Sequence, residues 1–349
     1  MLKNKQDVLY TLGDYIMRMR VLPAAQNEKK VELDAYDKKI LHSLAQNSRT
    51  PYSQISKKVG LSRDSIRYRI QRLHKSGVIQ GYRALIDISK LDYMNAHVFL
   101  QLNQPEQAAE KKLVEIFKAY PFVRAIIKFN GKFDFELALI AKTVQELDKI
   151  LSQIITDCGS MLQHYEVLLI TKSFAGKTFP DSFLKAPELK LPKKFQEVKL
   201  DEKDLKLISA IADHAELPLH KIAVKIGLSA DAVKYRLKKL KESGVITGFV
   251  PVINYDVINY NVYAVLLSIA NFTPKKEATL KEFLRTNKDV LWGVKTVGKY
   301  NVLLYICTRN PDDLIKTISD LRSHFVGDVR AYETLINYEE YKYTYFPSD

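Results

Sequence analysis

A repeat far longer than any solenoid unit sets what this chain can fold into. From Leu33 onward each position has a counterpart 167 residues later, beginning at Leu200, and the register holds without a gap to Phe179-Pro180 and Phe346-Pro347. Gly60-Leu61-Ser62 returns as Gly227-Leu228-Ser229, Tyr68-Arg69 as Tyr235-Arg236, and Ser76-Gly77-Val78-Ile79 as Ser243-Gly244-Val245-Ile246. Solenoids and propellers repeat every ~20–50 residues, so this period marks a duplicated set of domains. Whatever one repeat does, the chain carries the apparatus twice.

The start of each repeat has helical spacing. Leu33, Ile40, Leu41 and Leu44 lie on one helical face behind Asp34, a good N-cap residue. Thr50-Pro51 reads as N-cap and first residue of a short helix that turns Ile55 and Val59 inward. Gly60 suits the tight turn that follows, and Ser62 caps a third helix with Ile66, Ile70 and Leu73 at i, i+4 and i+7. Gly77 stops that helix before the β-prone Val78–Ile86. Helix, helix, glycine turn, helix and wing make a winged helix-turn-helix.

After Gly81 the period changes. Strands are expected at 96–102, 122–129, 133–140 and 161–171, with helices at 106–119 and 143–156 between them. This βαββαβ order implies a ferredoxin-like α+β domain: four antiparallel strands with two helices on one face. The expected domains are therefore an N-terminal extension at 1–30, a first helix-turn-helix at 31–82 and a first βαββαβ domain at 83–171. A Pro/Lys-rich linker follows at 172–199, then a second helix-turn-helix at 200–249 and a second βαββαβ domain at 250–349. Val8, Leu12, Ile16 and Met19 give the extension the spacing of one amphipathic helix. The aromatic run Tyr338–Phe346 alternates like an extra strand or an arm docked on a sheet edge.

Lys and Arg number 54 against 40 Asp and Glu, a net charge of +14, which points to a polyanionic partner. The outer face of the first third helix carries Arg63, Arg67, Tyr68, Gln71 and Arg72; its counterpart carries Lys234, Tyr235, Lys238 and Lys239. Such side chains contact base edges and phosphates of double-stranded DNA in a major groove. Arg63 and Arg67 face Ala230 and Lys234 across the repeat, so the first copy is expected to read sequence and the second to anchor phosphate. Cys158 and Cys307 have no metal-ligand spacing and read as reduced thiols of a cytoplasmic protein. No metal, catalytic constellation, cofactor or membrane contact is expected.

The residues Leu33-Asp34-x-x-Asp37, Gly60-Leu61-Ser62, Arg67-Tyr68-Arg69, Leu73, Gly77-Val78-Ile79 and Gly81-Tyr82, with most of them repeated from Leu200, resemble the Lrp/AsnC (feast/famine) family. The resemblance covers nearly everything after residue 31. It implies a transcription regulator whose βαββαβ (RAM-type) domains dimerise sheet to sheet and bind an amino acid or related effector. In the family's effector loop this chain has Gly131, Phe133 and Asp134, repeated as Gly298, Tyr300 and Asn301, where an amide replaces the carboxylate. Duplication would let one chain supply both partners as an intramolecular pseudo-dimer; the competing arrangement pairs equivalent domains of two chains as a homo-oligomer. The competing readings are a nucleoid-organising DNA binder without effector and a sirohaem-decarboxylase-like enzyme. Against the enzyme, none of the seven histidines recurs at the repeat offset.

Overall fold

The computed structural model describes residues 30–103, 106–185, 199–344 and 346. The helix expected in residues 1–30 lies outside them, Lys30 excepted. Each repeat opens with a three-helix head: α1 (Ala35–Gln46), α2 (Tyr52–Val59) and α3 (Arg63–Lys75) in the first. Asp34 and Asp37 form a reciprocal capping box at the start of α1. Gly60 ends α2 in the left-handed region at φ 79°, and Ser62 caps α3 by accepting from the Ser65 N–H. Pro51 is the N-cap of α2, so that helix starts one residue later than Thr50-Pro51 implies. With Ile66, Ile70 and Leu73 buried, α3 turns its charged face outward.

Each head ends in a wing strand, β1 (Ile79–Ile86) in the first repeat. The second head repeats the design with α6 (Glu202–Ala212), α7 (Leu219–Ile226), α8 (Ala230–Glu242) and β6 (Ile246–Ile253). The two wings pair with each other, antiparallel from Ile79↔Ile253 to Ile86↔Ile246. Further bonds tie the heads together. The Ser48 N–H donates to Phe249 O at 2.9 Å, and the Ala215 N–H donates to Tyr82 O at 3.1 Å. Arg49 donates to Ala215 O at 2.6 Å and Leu217 O at 3.0 Å. The heads are one unit with a shared ribbon.

The rest of the first repeat is β2 (Met94–Leu102), α4 (Gln107–Ala119), β3 (Val123–Asn130), β4 (Phe135–Ala141), α5 (Val144–Cys158) and β5 (Leu162–Gly176). In the second it is β7 (Asn261–Ile269), α9 (Pro274–Thr286), β8 (Val290–Val297), β9 (Val302–Thr308), α10 (Pro311–Ser323) and β10 (Val329–Tyr343). Each half has the ferredoxin-like order, β3-β4-β2-β5 in the first. The two sheets are joined at both edges into a closed eight-stranded barrel, β10-β3-β4-β2-β5-β8-β9-β7. β5 and β10 close it, because each pairs along its first part within its own half and along its second part with the other. Ala96↔Leu169 gives way to Leu169↔Val297 on β5, and Tyr263↔Ile336 to Ile336↔Asn130 on β10. Closure removes the edges that a lone sheet would expose.

One expectation shifts here and another is narrowed. Residues 172–176 are strand, not tether, and the chain beyond them is docked. Phe179 and Phe183 are buried, and the Lys177 N–H donates to Leu291 O. Tyr338–Tyr343, the larger part of the aromatic arm, is a barrel strand.

The interior is not symmetric. The Tyr305 hydroxyl donates to the Glu136 carboxylate, whose other oxygen bonds His97 Nδ1; His97 stacks on Trp292 at 5.6 Å. All four are at most 2% exposed. Their counterparts are Ala138, Leu303, Ala264 and Ala125, so the polar, bulky set occurs once and spans both halves.

Candidate nucleic-acid interface and effector seam

The outward face of α3 holds Arg63, Arg67, Tyr68, Gln71 and Arg72, all exposed, and that of α8 holds exposed Lys234, Tyr235 and Lys238 with half-buried Lys239. Tyr68 and Tyr235 stand 67% and 70% open to solvent, aromatic rings that the core leaves out of both helices at the same repeat position. Arg63, Arg67 and Lys234 form no ion pair among the described residues. Arg72 is different: it pairs with the fully buried Asp37, which Arg69 Nη1 also holds at 2.8 Å. In the second head Arg236 Nη1 lies 2.6 Å from buried Asp204, and Lys239 is looser at 3.8 Å. The capping-box aspartates thus do two jobs, starting the first helix and fixing the third helix of each head against it through Arg69 and Arg236. The backbone N–H of Asp37, and then Arg69, hold the Asp34 carboxyl below its ordinary value. Asp201 is lowered by the Asp204 N–H and Arg236 in the same way.

The glycine loops of the two halves face the opposite half across the barrel seam. Gly131 packs on Leu335 of β10, and Gly298 on the Val167 carbonyl of β5. Lys132 pairs with Glu333 at 3.0 Å and Lys299 with Glu166 at 3.1 Å, so each loop lysine reaches a glutamate of the other half. Tyr300 joins the first pair, its hydroxyl 3.3 Å from Glu333. His164 joins the second, with Nε2 3.0 Å from Glu166 and its ring stacked on Phe133. Burial pushes the Glu166 carboxyl up, but bonds from His164 and Lys299 overcome this and hold it below its ordinary value.

Asp134 and Asn301 have a backbone role. Asp134 Oδ2 accepts the Leu102 N–H at 2.7 Å. Asn301 Oδ1 accepts the matching Ile269 N–H at 2.9 Å, while its Nδ2 donates to Ile269 O at 2.8 Å. The amide completes both bonds of this latch and the carboxylate makes one. Burial raises the Asp134 carboxyl, against the lowering effect of the Leu102 N–H. Asp134 is therefore engaged by the backbone at a position that the family resemblance assigns to the effector loop.

Residues outside the sequence-based set matter at both places: Arg69 and Arg236 in the heads, Lys132, Lys299, Glu166 and Glu333 at the seam. The signal was present. Both members of every one of these pairs recur at the repeat offset.

The heads match known domain models: residues 33–74 an AsnC-type helix-turn-helix domain, residues 200–247 a winged helix-turn-helix DNA-binding domain. An uncharacterised HTH-type transcriptional regulator of Pyrococcus furiosus is 31% identical over 144 residues, spanning 41% of this chain and 93% of that relative. The HTH-type transcriptional regulator LrpA of Pyrococcus horikoshii is 32% identical over 120 residues, 34% of this chain and 84% of its own length. Both relatives are thus about one repeat long. Over 89% of this chain and 94% of the other, the fold resembles a crystal structure of the siroheme decarboxylase NirDL, with TM-score 0.59. At 16% identity that likeness is one of fold alone. An AsnC-type first head, a winged helix-turn-helix second head, the βαββαβ halves and alignment over most of the length of single-repeat regulators lead to one conclusion: this chain belongs to the Lrp/AsnC family of helix-turn-helix transcriptional regulators.

Proposed function

We propose that one chain does what two subunits of a single-repeat regulator would do, placing both of its heads on one stretch of double-stranded DNA. The carrying observation is the shared β1–β6 ribbon, which holds α3 and α8 in a fixed relation within a single chain. In this reading α3 reads bases through Arg63 and Arg67, with Tyr68 and Gln71 beside them, and α8 anchors phosphate through Lys234 and Lys238. Arg72 and Lys239 act at the edge of the interface, since buried aspartates share their charge. An amino acid or related small molecule acts at the two seams, where Gly131, Phe133, Gly298 and Tyr300 meet the lysine–glutamate pairs. A ligand there would compete for contacts that hold one half to the other.

Binding-site selection with the two single variants tests the division of labour. Arg67→Ala should relax base preference at one half-site, about 1–3 kcal/mol for a lost bidentate contact. Lys234→Ala should weaken all sequences alike and flatten the salt dependence by about one unit of slope. Equal loss of sequence preference from both variants would refute it.

A further inference from the structure

The first half of the barrel carries a buried polar pair that the second half lacks. Arg124 at the start of β3 and Asn95 at the start of β2 are 3% and 7% exposed, and Arg124 Nη2 donates to Asn95 Oδ1 at 2.7 Å. Arg124 Nε and Asn95 Nδ2 are buried without an acceptor among the described residues. Arg124 also has no ion-pair partner among the described residues, so none of them compensates its guanidinium charge. Buried charges are strongly unfavourable unless paired, and buried donors are nearly always bonded. The fold does not require the pair, since the same strand positions in the second half hold Leu291 and Val262. A third orphan donor, Trp292 Nε1, belongs to the ring stacked on His97, and His97 follows Asn95 on the same face of β2.

We propose that Arg124 and Asn95 form a binding site for a small oxyanion, the carboxylate or phosphate group of a ligand. Donors without acceptors select an anion, and the planar guanidinium matches the spacing of two oxygens on such a group. A resident water would satisfy the hydrogen bonds but leave the charge unbalanced. This site is distinct from the seams at the glycine loops, and it occurs once per chain. It lies beside the end of β10, where the Thr344 N–H donates to Arg124 O and Tyr343 O accepts from Arg83 Nη2 of the wing.

Calorimetric titration and thermal unfolding of the full chain, with sodium acetate and sodium phosphate as separate probes at one ionic strength, test the site. At least one probe should bind saturably, one per chain, and raise Tm; the two arms show which oxyanion is preferred. The double variant Arg124→Leu, Asn95→Val, which installs the second half's own residues, should weaken that binding at least tenfold. Asn95→Asp, which places a carboxylate on the guanidinium, should raise Tm without added oxyanion and abolish the response. This second variant keeps the test decisive should the first fail to fold. No saturable response to either probe, a response that survives in both variants, or a lower Tm for Asn95→Asp would overturn the site. None of these readouts involves DNA, so they stand or fall apart from the DNA-binding reading.

Discussion

At the residue scale, the aspartates that open each head tie acidity to stability. Asp34 and Asp201 have carboxyls held below the ordinary 3.8, mainly by the backbone N–H three residues on and then by Arg69 and Arg236. A lowered folded-state value means the unfolded chain binds protons more readily. Stability from these groups is present above the unfolded value, near 3.8, and is lost as pH falls through the lower folded value. The heads should therefore hold at pH 5 and lose helical signal below about pH 4, and Arg69→Met should move that acid midpoint upward. Circular dichroism against pH checks this; an unchanged midpoint in the variant would contradict it. The sequence showed Asp34 as a cap but hid the function of Asp37. A buried carboxylate paired with residues 32 and 35 positions away leaves no local periodicity to read. What it does leave is joint recurrence of both partners at the repeat offset.

At the scale of elements, the helices and the existence of most strands were legible because their periods, 3.6 and 2, are local. The closing pairs β5–β8 and β10–β3 were not. They depend on strands meeting across the two halves, and the extra length of β5 lies in a lysine-bearing stretch that reads as linker. The interior cluster that spans this closure makes a prediction. Tyr305→Phe leaves Glu136 one hydrogen bond short and should cost about 1–3 kcal/mol. Trp292→Ala opens a cavity and should cost about 3–5 kcal/mol. Denaturant unfolding measures both, and costs within ±0.5 kcal/mol of zero would show that the cluster does not hold the halves together. The two loop glycines should also respond unequally. A methyl group on Gly298, at φ 152°, would lie 2.5 Å from the Val167 carbonyl oxygen; on Gly131 it would meet the end of a flexible Leu335 side chain at 2.9 Å. Gly298→Ala should cost about 1–3 kcal/mol and Gly131→Ala less; the reverse order would argue against the seam packing.

At the scale of the whole molecule, duplication has been followed by divergence of the two copies. The heads differ where they would meet bases, Arg63 and Arg67 against Ala230 and Lys234. The halves differ inside the barrel, where His97, Glu136, Trp292 and Tyr305 fit one another and their counterparts would not. Two first halves would bury a glutamate opposite Ala138 in each partner, and two second halves would leave Trp292 facing Ala264 with no ring to stack on and the Tyr305 hydroxyl facing Leu303 with no acceptor. Unlike halves are the matched pair, so the DNA site of one chain need not be a perfect palindrome. Its half-sites should lie about 34 Å, one helical turn, apart. The most direct measurement is the mass of the complex formed with a minimal selected duplex, by native mass spectrometry or sedimentation. The account predicts one chain per duplex carrying both half-sites, with protection of both. Two chains per such duplex, each protecting a single half-site, would contradict it.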